Sequence, residues 1–116
     1  MLHIATVSGN TIVLRLLLNN GASVHLRGPN SAIALHYAAA VGHNDGLRLL
    51  LERSADIYAV DDLGATPLHY TALFKRLSVV KQLLKNGANY TITNRDRKTP
   101  VIWIFRPGVI IALSDN

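Results

Sequence analysis

Residues 64–88 read GATPLHYTALFKRLSVVKQLLKNGA and specify two short helices, each preceded by a turn. Thr66 is a good N-cap, and Pro67 suits the first helical position because that position needs no N–H donor. Together they predict that a helix begins at Pro67. A second helix is predicted from about Ser78 to Asn86, because apolar residues recur there on one face. Gly87 is predicted to end that helix in a left-handed conformation.

The same pattern recurs along the chain at an interval of 33 residues. The positions that repeat in three copies are His3, His36 and His69, Leu2, Leu35 and Leu68, Leu17, Leu50 and Leu83, and Ala22, Ala55 and Ala88. Helices of two to three turns are marginal in water when isolated, because helix nucleation is costly. Each copy must therefore bury its apolar faces against the next one, which predicts a stack of helix pairs.

The segments 64–70 and 83–88 resemble an ankyrin repeat, and residues 35–43 resemble the first helix and following turn of the same repeat. The resemblance covers nearly the whole chain as one domain, residues 1–116. Its units are about 1–27, 28–60, 61–93 and 94–116, of which the first and last are incomplete. It implies an all-α ankyrin-repeat solenoid of about 3.5 helix-turn-helix units, with β-hairpin fingers at the junctions and a concave recognition surface.

Three positions depart from this pattern. Ser54 stands where the second helix of other units ends in glycine, and Lys75 stands at a turn occupied elsewhere by Gly9 and Gly42. A non-glycine residue in a left-handed turn should cost about 1 kcal/mol. Unit two lacks the Thr-Pro pair, so its first helix should lack a side-chain cap. The apolar residues at 109–113 are expected to continue into a longer array, to meet a partner or to fold back.

Composition narrows the function classes. The chain is 49% apolar and 16% charged, which is typical of a globular domain and not of a disordered tail or a rod. It contains no cysteine, so disulfides, thiolate metal sites and a cysteine nucleophile are excluded. The leading residues are not basic, and the apolar run 101–113 is too short to span a membrane. We expect an intracellular protein, cytoplasmic or nuclear, with no membrane span.

No motif for catalysis or cofactor binding is present. The sequence contains no phosphate-binding glycine loop, nucleophile elbow or His-Glu-x-x-His zinc motif, so we expect neither an enzyme nor a cofactor. His36 and His43 are seven residues apart, but the turn at Gly42 separates them and no third ligand is apparent. The resemblance instead implies that His3, His36 and His69 hydrogen-bond the backbone of neighbouring turns.

The residues predicted to bind a partner are those that escape the apolar core in ankyrin repeats. An interface centre generally needs apolar or aromatic side chains at exposed positions, which favours Leu63 and Phe74. The alternative for Phe74 is packing under the neighbouring finger. The predicted set comprises Asp62, Leu63, Ala65, Leu73 and Phe74 in unit three and Arg95, Asp96 and Lys98 in unit four.

The basic residues are concentrated in the second half of the chain. Residues 75–106 contain eight Lys or Arg residues and one acidic residue, Asp96. Such a segment could be a solvated face or could attract an acidic protein. Nucleic acid is a less favoured partner, because interleaved exposed aromatic residues and known motifs are lacking.

We therefore predict a non-enzymatic scaffold or adaptor that binds a partner protein through its fingers and its concave helix surface. One alternative is a part of a longer ankyrin array, or of a fusion whose activity lies in another domain. The other is nucleic-acid binding through residues 75–106. The oligomeric state is expected to be a monomer, or a weak self-associating species held by the apolar C-terminal end.

Overall fold

The helices form three consecutive pairs. The computed structural model describes residues 2–74, 77–88, 95 and 97, the side chains of 72–74 and 77 excepted. The helix that was predicted to begin at Pro67 does so, and the second helix of that unit begins one residue earlier than expected. The elements are α1 (Leu2–Ser8), α2 (Thr11–Asn19), α3 (Ala34–Val41), α4 (Asn44–Glu52), α5 (Pro67–Phe74) and α6 (Leu77–Lys85).

The pairs stack side by side in chain order. Helix α3 packs against α1 on one side and α5 on the other, while α4 packs against both α2 and α6. Apolar side chains of all the pairs fill the space between them, as burial requires for helices that are too short to persist alone. The largest fully buried apolar side chains are Leu14, Ile33, Leu35, Leu47, Leu50, Leu68, Leu83, Val79 and Val80. The predicted stack of helix pairs is confirmed.

Helices α2, α4 and α6 end in the same way. The backbone N–H of the alanine that follows each helix donates to a leucine carbonyl five residues earlier, at 3.0 Å in every case. The preceding residue is left-handed each time, with φ of 93° at Gly21, 69° at Ser54 and 91° at Gly87. Ser54 therefore adopts the conformation that its glycine counterparts adopt without steric cost, as its position predicted.

Helix α3 begins without a side-chain cap, as expected from the missing Thr-Pro pair. Its N-cap residue is Ile33, whose side chain is buried and accepts no hydrogen bond. The Ile33 N–H instead donates to Nδ1 of His36 at 3.1 Å. In unit three the Thr66 N–H donates to Nδ1 of His69 in the same way, at 3.0 Å. Histidine thus completes the helix start in both units.

The fingers between the pairs are tight turns. In the finger of unit two the Gly28 N–H donates to the Ala32 carbonyl at 2.8 Å, and in unit three the Asp61 N–H donates to the Ala65 carbonyl at 3.0 Å. The described residues contain no β-strand, because the two ends of each of these fingers are joined by one backbone hydrogen bond. In unit three, the turn between Asp61 and Ala65 places residues 62–64 at the finger tip.

Candidate partner-binding surface

An apolar side chain projects from the finger of unit three. Leu63 is 63% exposed, and the nearby Tyr58 and Val60 are about half exposed. Tyr58 donates its hydroxyl hydrogen to the Gly87 carbonyl, which ties this part of the chain to the end of α6. A large apolar side chain at an exposed position is a common feature of protein-binding sites.

The backbone beneath Leu63 is organised by Asp61. Its Oδ1 accepts hydrogen bonds from the Leu63 and Ala65 N–H groups, both at 2.9 Å, and its Oδ2 accepts the Tyr70 hydroxyl hydrogen. Burial alone would raise the pKa of the Asp61 carboxyl, but the bonds from Tyr70, Ala65 and Leu63 outweigh it and lower that pKa. Asp61 is therefore ionised near neutral pH and holds the finger in shape.

Neighbouring fingers are joined through their backbones. The Asp62 N–H donates to the Asn30 carbonyl and the Arg95 N–H donates to the Leu63 carbonyl, each at 2.9 Å. These two bonds are equivalent in the 33-residue repeat. In addition, Nη1 of Arg27 donates to the Val60 carbonyl across the junction at 2.7 Å. Consecutive finger tips thus form a connected row.

The repeated histidines link each unit to the following finger. Nε2 of His36 lies 2.9 Å from the Ala65 carbonyl, and Nε2 of His3 lies 3.0 Å from the Leu26 carbonyl. Because Nδ1 of His36 accepts the Ile33 N–H, its single ring proton must be on Nε2. Burial lowers the pKa of His36, so the neutral ring is favoured. His3 and His36 therefore both hydrogen-bond the backbone of a neighbouring turn, as the resemblance to ankyrin repeats implied.

The remaining histidine positions do not form a metal site in the described part of the chain. Nε2 of His43 lies 3.1 Å from Oγ1 of Thr11, and its Nδ1 lies 3.3 Å from the Thr6 carbonyl, so His43 joins units one and two. Among the described residues no three His, Cys, Asp or Glu side chains converge as metal ligands would. His3, His36 and His43 thus form hydrogen bonds within and between the units.

The predicted site residues fall into three groups. Asp62, Leu63 and Arg95 are exposed at the fingers. Ala65 is only 9% exposed, because the turn folds it under the finger, and it offers little surface to a partner. Leu73 and Phe74 are the last two residues of α5, but their side chains lie outside the described part, as do Asp96 and Lys98 entirely. The predictions for Lys75 and for residues 109–113 also lie outside it.

Two exposed features were not predicted from sequence. Tyr58 and Val60 are exposed in the segment before Leu63, but neither belongs to a motif, so nothing in the sequence distinguished them. Large apolar side chains are also exposed on α1 and α2, notably Ile4 and Ile12. Alignment of the sequence at the 33-residue period could have indicated that Ile12 is exposed, since Ile12 stands where α4 has Asp45.

Comparison with known proteins agrees with this architecture. A family model described as ankyrin repeats, in three copies, matches residues 2–94. No curated protein matches the chain. None of the helices in the described ranges is long and apolar enough to cross a membrane. With the match extending over most of its 116 residues, the chain belongs to the ankyrin-repeat family, whose members are generally protein–protein interaction modules and typically not enzymes.

Proposed function

We propose that this chain is a scaffold or adaptor that binds a partner protein through its finger tips and the adjoining first helices. The proposal rests on the exposure of the Leu63 side chain together with the fixed position of its backbone. Its side chain is 63% exposed, while its N–H and its carbonyl are both held by hydrogen bonds, to Asp61 and from Arg95. An exposed apolar group on a fixed backbone is suited to be the anchor of an interface.

Fixing the backbone in advance favours tight binding. A flexible loop must be ordered when it binds, and that ordering subtracts from the affinity. The finger of unit three is already ordered by Asp61, by its pairing with Asn30 and by Arg95. Leu63 can therefore enter an apolar pocket of a partner with little loss of conformational entropy.

Three arginines near the row of fingers favour an acidic partner, although Asp61 and Asp62 lie beside Leu63. Arg95 and Arg97 are exposed, and Arg27 lies at the preceding finger junction. Arginines at the rim of an apolar anchor accelerate association with a negatively charged surface, and added salt reduces that effect. The partner expected is an acidic protein surface with an apolar pocket.

The test is affinity capture with the immobilised chain, followed by mass spectrometry and a measured dissociation constant for each protein retained. Leu63→Ala should weaken binding about 30-fold, as truncation of a central anchor typically costs about 2 kcal/mol. Ile12→Ala is the matched control, since it removes a large exposed apolar side chain from α2, outside the finger of unit three. Equal retention of every partner by both variants and by the unmodified chain would contradict the proposal.

Nucleic-acid binding through residues 75–106 is the alternative outcome. A retardation assay with mixed DNA and RNA distinguishes it, because phosphate contacts are lost steeply as salt rises. Retardation that falls steeply with salt and is unaffected by Leu63→Ala would favour that alternative.

A further inference from the structure

Helices α2 and α6 are followed by the same chemically reactive dipeptide. Asn20-Gly21 follows α2 and Asn86-Gly87 follows α6, and these are the two places in the sequence where glycine follows asparagine. All four residues are exposed to water. The backbone nitrogen of the residue after an asparagine can attack the side-chain amide carbon, and glycine hinders that attack least because it has no Cβ. Both dipeptides are therefore candidate sites of deamidation.

The equivalent position of unit two differs in sequence but not in backbone conformation. Helix α4 is followed by Arg53 and Ser54, neither of which has a side-chain amide. Arg53 has φ and ψ of −94° and 19°, and Asn20 has φ and ψ of −99° and 19°. The helix end thus forms without asparagine, and unit two supplies an unreactive control within the same chain.

Hydrogen bonds in the folded chain oppose the attack at both sites. Nδ2 of Asn20 donates to the Leu16 carbonyl at 2.7 Å. Nδ2 of Asn86 donates to the Gln82 carbonyl at 2.8 Å. The attacking nitrogens are engaged as well, because each glycine N–H donates to a leucine carbonyl three residues earlier, at 3.2 Å after α2 and 3.1 Å after α6. The helix end must therefore open locally before the nitrogen can reach the amide carbon.

The site after α6 has one further restraint. Tyr58 donates its hydroxyl hydrogen to the Gly87 carbonyl. The attack requires rotation of the peptide unit between Asn86 and Gly87, and that rotation displaces the carbonyl from Tyr58. The Tyr58 hydroxyl thus adds to the free energy of opening at Asn86, and the Asn20 site serves as an internal reference.

We propose that Asn20 and Asn86 deamidate spontaneously, and that the folded chain sets the rate through these hydrogen bonds. The glycine nitrogen forms a bond to Cγ of the asparagine, and Nδ2 leaves as ammonia with the proton that the glycine nitrogen releases. Water then adds to either carbonyl carbon of the resulting succinimide ring and opens it. The product is aspartate or isoaspartate, in which the main chain runs through Cβ.

The product weakens the helix end at which it forms. At Asn86 a carboxylate replaces the amide that donates to the Gln82 carbonyl, so the hydrogen bond is lost and two acceptors face each other. Negative charge is also unfavourable at the C-terminus of a helix, where the macrodipole is negative. Because Gly87 holds Tyr58, modification of Asn86 also loosens the segment that leads into the finger of unit three.

The test is peptide mapping by mass spectrometry after incubation at neutral pH, with the folded chain compared with the chain unfolded in guanidinium chloride. Two hydrogen bonds must open at each site, so each asparagine should react about 30-fold more slowly in the folded chain, which corresponds to about 2 kcal/mol. Chromatography separates the aspartate and isoaspartate peptides. The peptide that contains Ser54 should keep its mass.

Two variants test the control by the fold, and circular dichroism checks that both are folded. Tyr58→Phe removes only the hydroxyl and should accelerate the reaction at Asn86 about 5-fold relative to Asn20 in the same sample, the equivalent of one hydrogen bond. Asn86→Gln keeps an amide but would have to form a larger ring, so it should stop the reaction at this site and leave the Asn20 rate unchanged.

Three outcomes would overturn the proposal. The first is unmodified asparagine at both sites of the folded chain after about 100 half-lives of the reaction in the unfolded chain, since about 30-fold protection allows reaction by then. The second is an equal rate in the folded and unfolded chains. The third is a ratio of the two site rates that Tyr58→Phe leaves unchanged.

Discussion

Replacing Asp61 with alanine should lower the free energy of unfolding by about 3 kcal/mol. The change removes the acceptor for the buried Ala65 N–H, at about 2 kcal/mol, and for the half-buried Tyr70 hydroxyl, at about 1 kcal/mol. The Leu63 N–H also loses its acceptor, but Leu63 is exposed and water can replace the carboxylate there.

Two related variants separate the contributions of the individual hydrogen bonds to this loss of unfolding free energy. Asp61→Asn keeps an oxygen that accepts both backbone N–H groups, but it loses the charge and replaces the acceptor of the Tyr70 hydroxyl with an NH2 donor, so about 1–2 kcal/mol is expected. Tyr70→Phe removes only the hydroxyl bond, and about 1 kcal/mol is expected. Asp62→Ala is the matched control, because Asp62 is exposed and its side chain is not needed for its backbone bond to Asn30.

The assay is urea denaturation at pH 7, followed by circular dichroism, with equal denaturant slopes required across the variants. At that pH the lowered pKa of Asp61 keeps the carboxylate ionised, and its contribution is lost only as pH falls below about 3.8 and through the folded-state value. If Asp61→Ala costs no more than Asp62→Ala, Asp61 does not organise the finger. If Asp61→Asn costs as much as Asp61→Ala, the two backbone hydrogen bonds do not contribute, and the charge and the Tyr70 bond are responsible.

Three other changes follow from the described residues. Ser54→Gly should stabilise the protein by about 0.5–1 kcal/mol, because Ser54 has a φ of 69°, and an unchanged or lower urea midpoint would contradict this. At pH values below 6.5 the free energy of unfolding should fall by up to about 1.4 kcal/mol per pH unit, because burial lowers the pKa of His36 and protonation would remove its Nδ1 acceptor role. His36→Gln should flatten that slope. Gly46→Ala should destabilise by about 1–2 kcal/mol despite better helix propensity, because the added Cβ would lie 2.6 Å from Cε1 of His43, and a His43→Ala background should abolish the loss in thermal unfolding.

The helices and their order were predictable because their signals are local. Thr66 and Pro67 mark the start of α5, and Gly87 marks the end of α6, by the conformations that these residues allow. The strain at Ser54 was predictable for the same reason, since the 33-residue period compares it directly with Gly21 and Gly87.

The candidate site was only partly predictable. The prediction of Leu63 as an exposed finger residue agrees with its position, but Ala65 was grouped with it and is buried under the same turn. The role of Asp61 was not predictable from the sequence, because it depends on Tyr70, which is nine residues away on α5. Contacts of this kind require the folded finger.

The amino-acid sequence by itself determined the 33-residue repeat, the start of α5 and, to within one residue, the two ends of α6, because each depends on residue types within one unit. Only the tertiary structure decided which exposed residues form surfaces. The Leu63 backbone is held by a neighbouring finger, and Ile4 and Ile12 are exposed because no described helix pair lies on their side. Burial and rigidity at these positions depend on what the adjacent unit supplies, and a pattern within one unit does not contain that information.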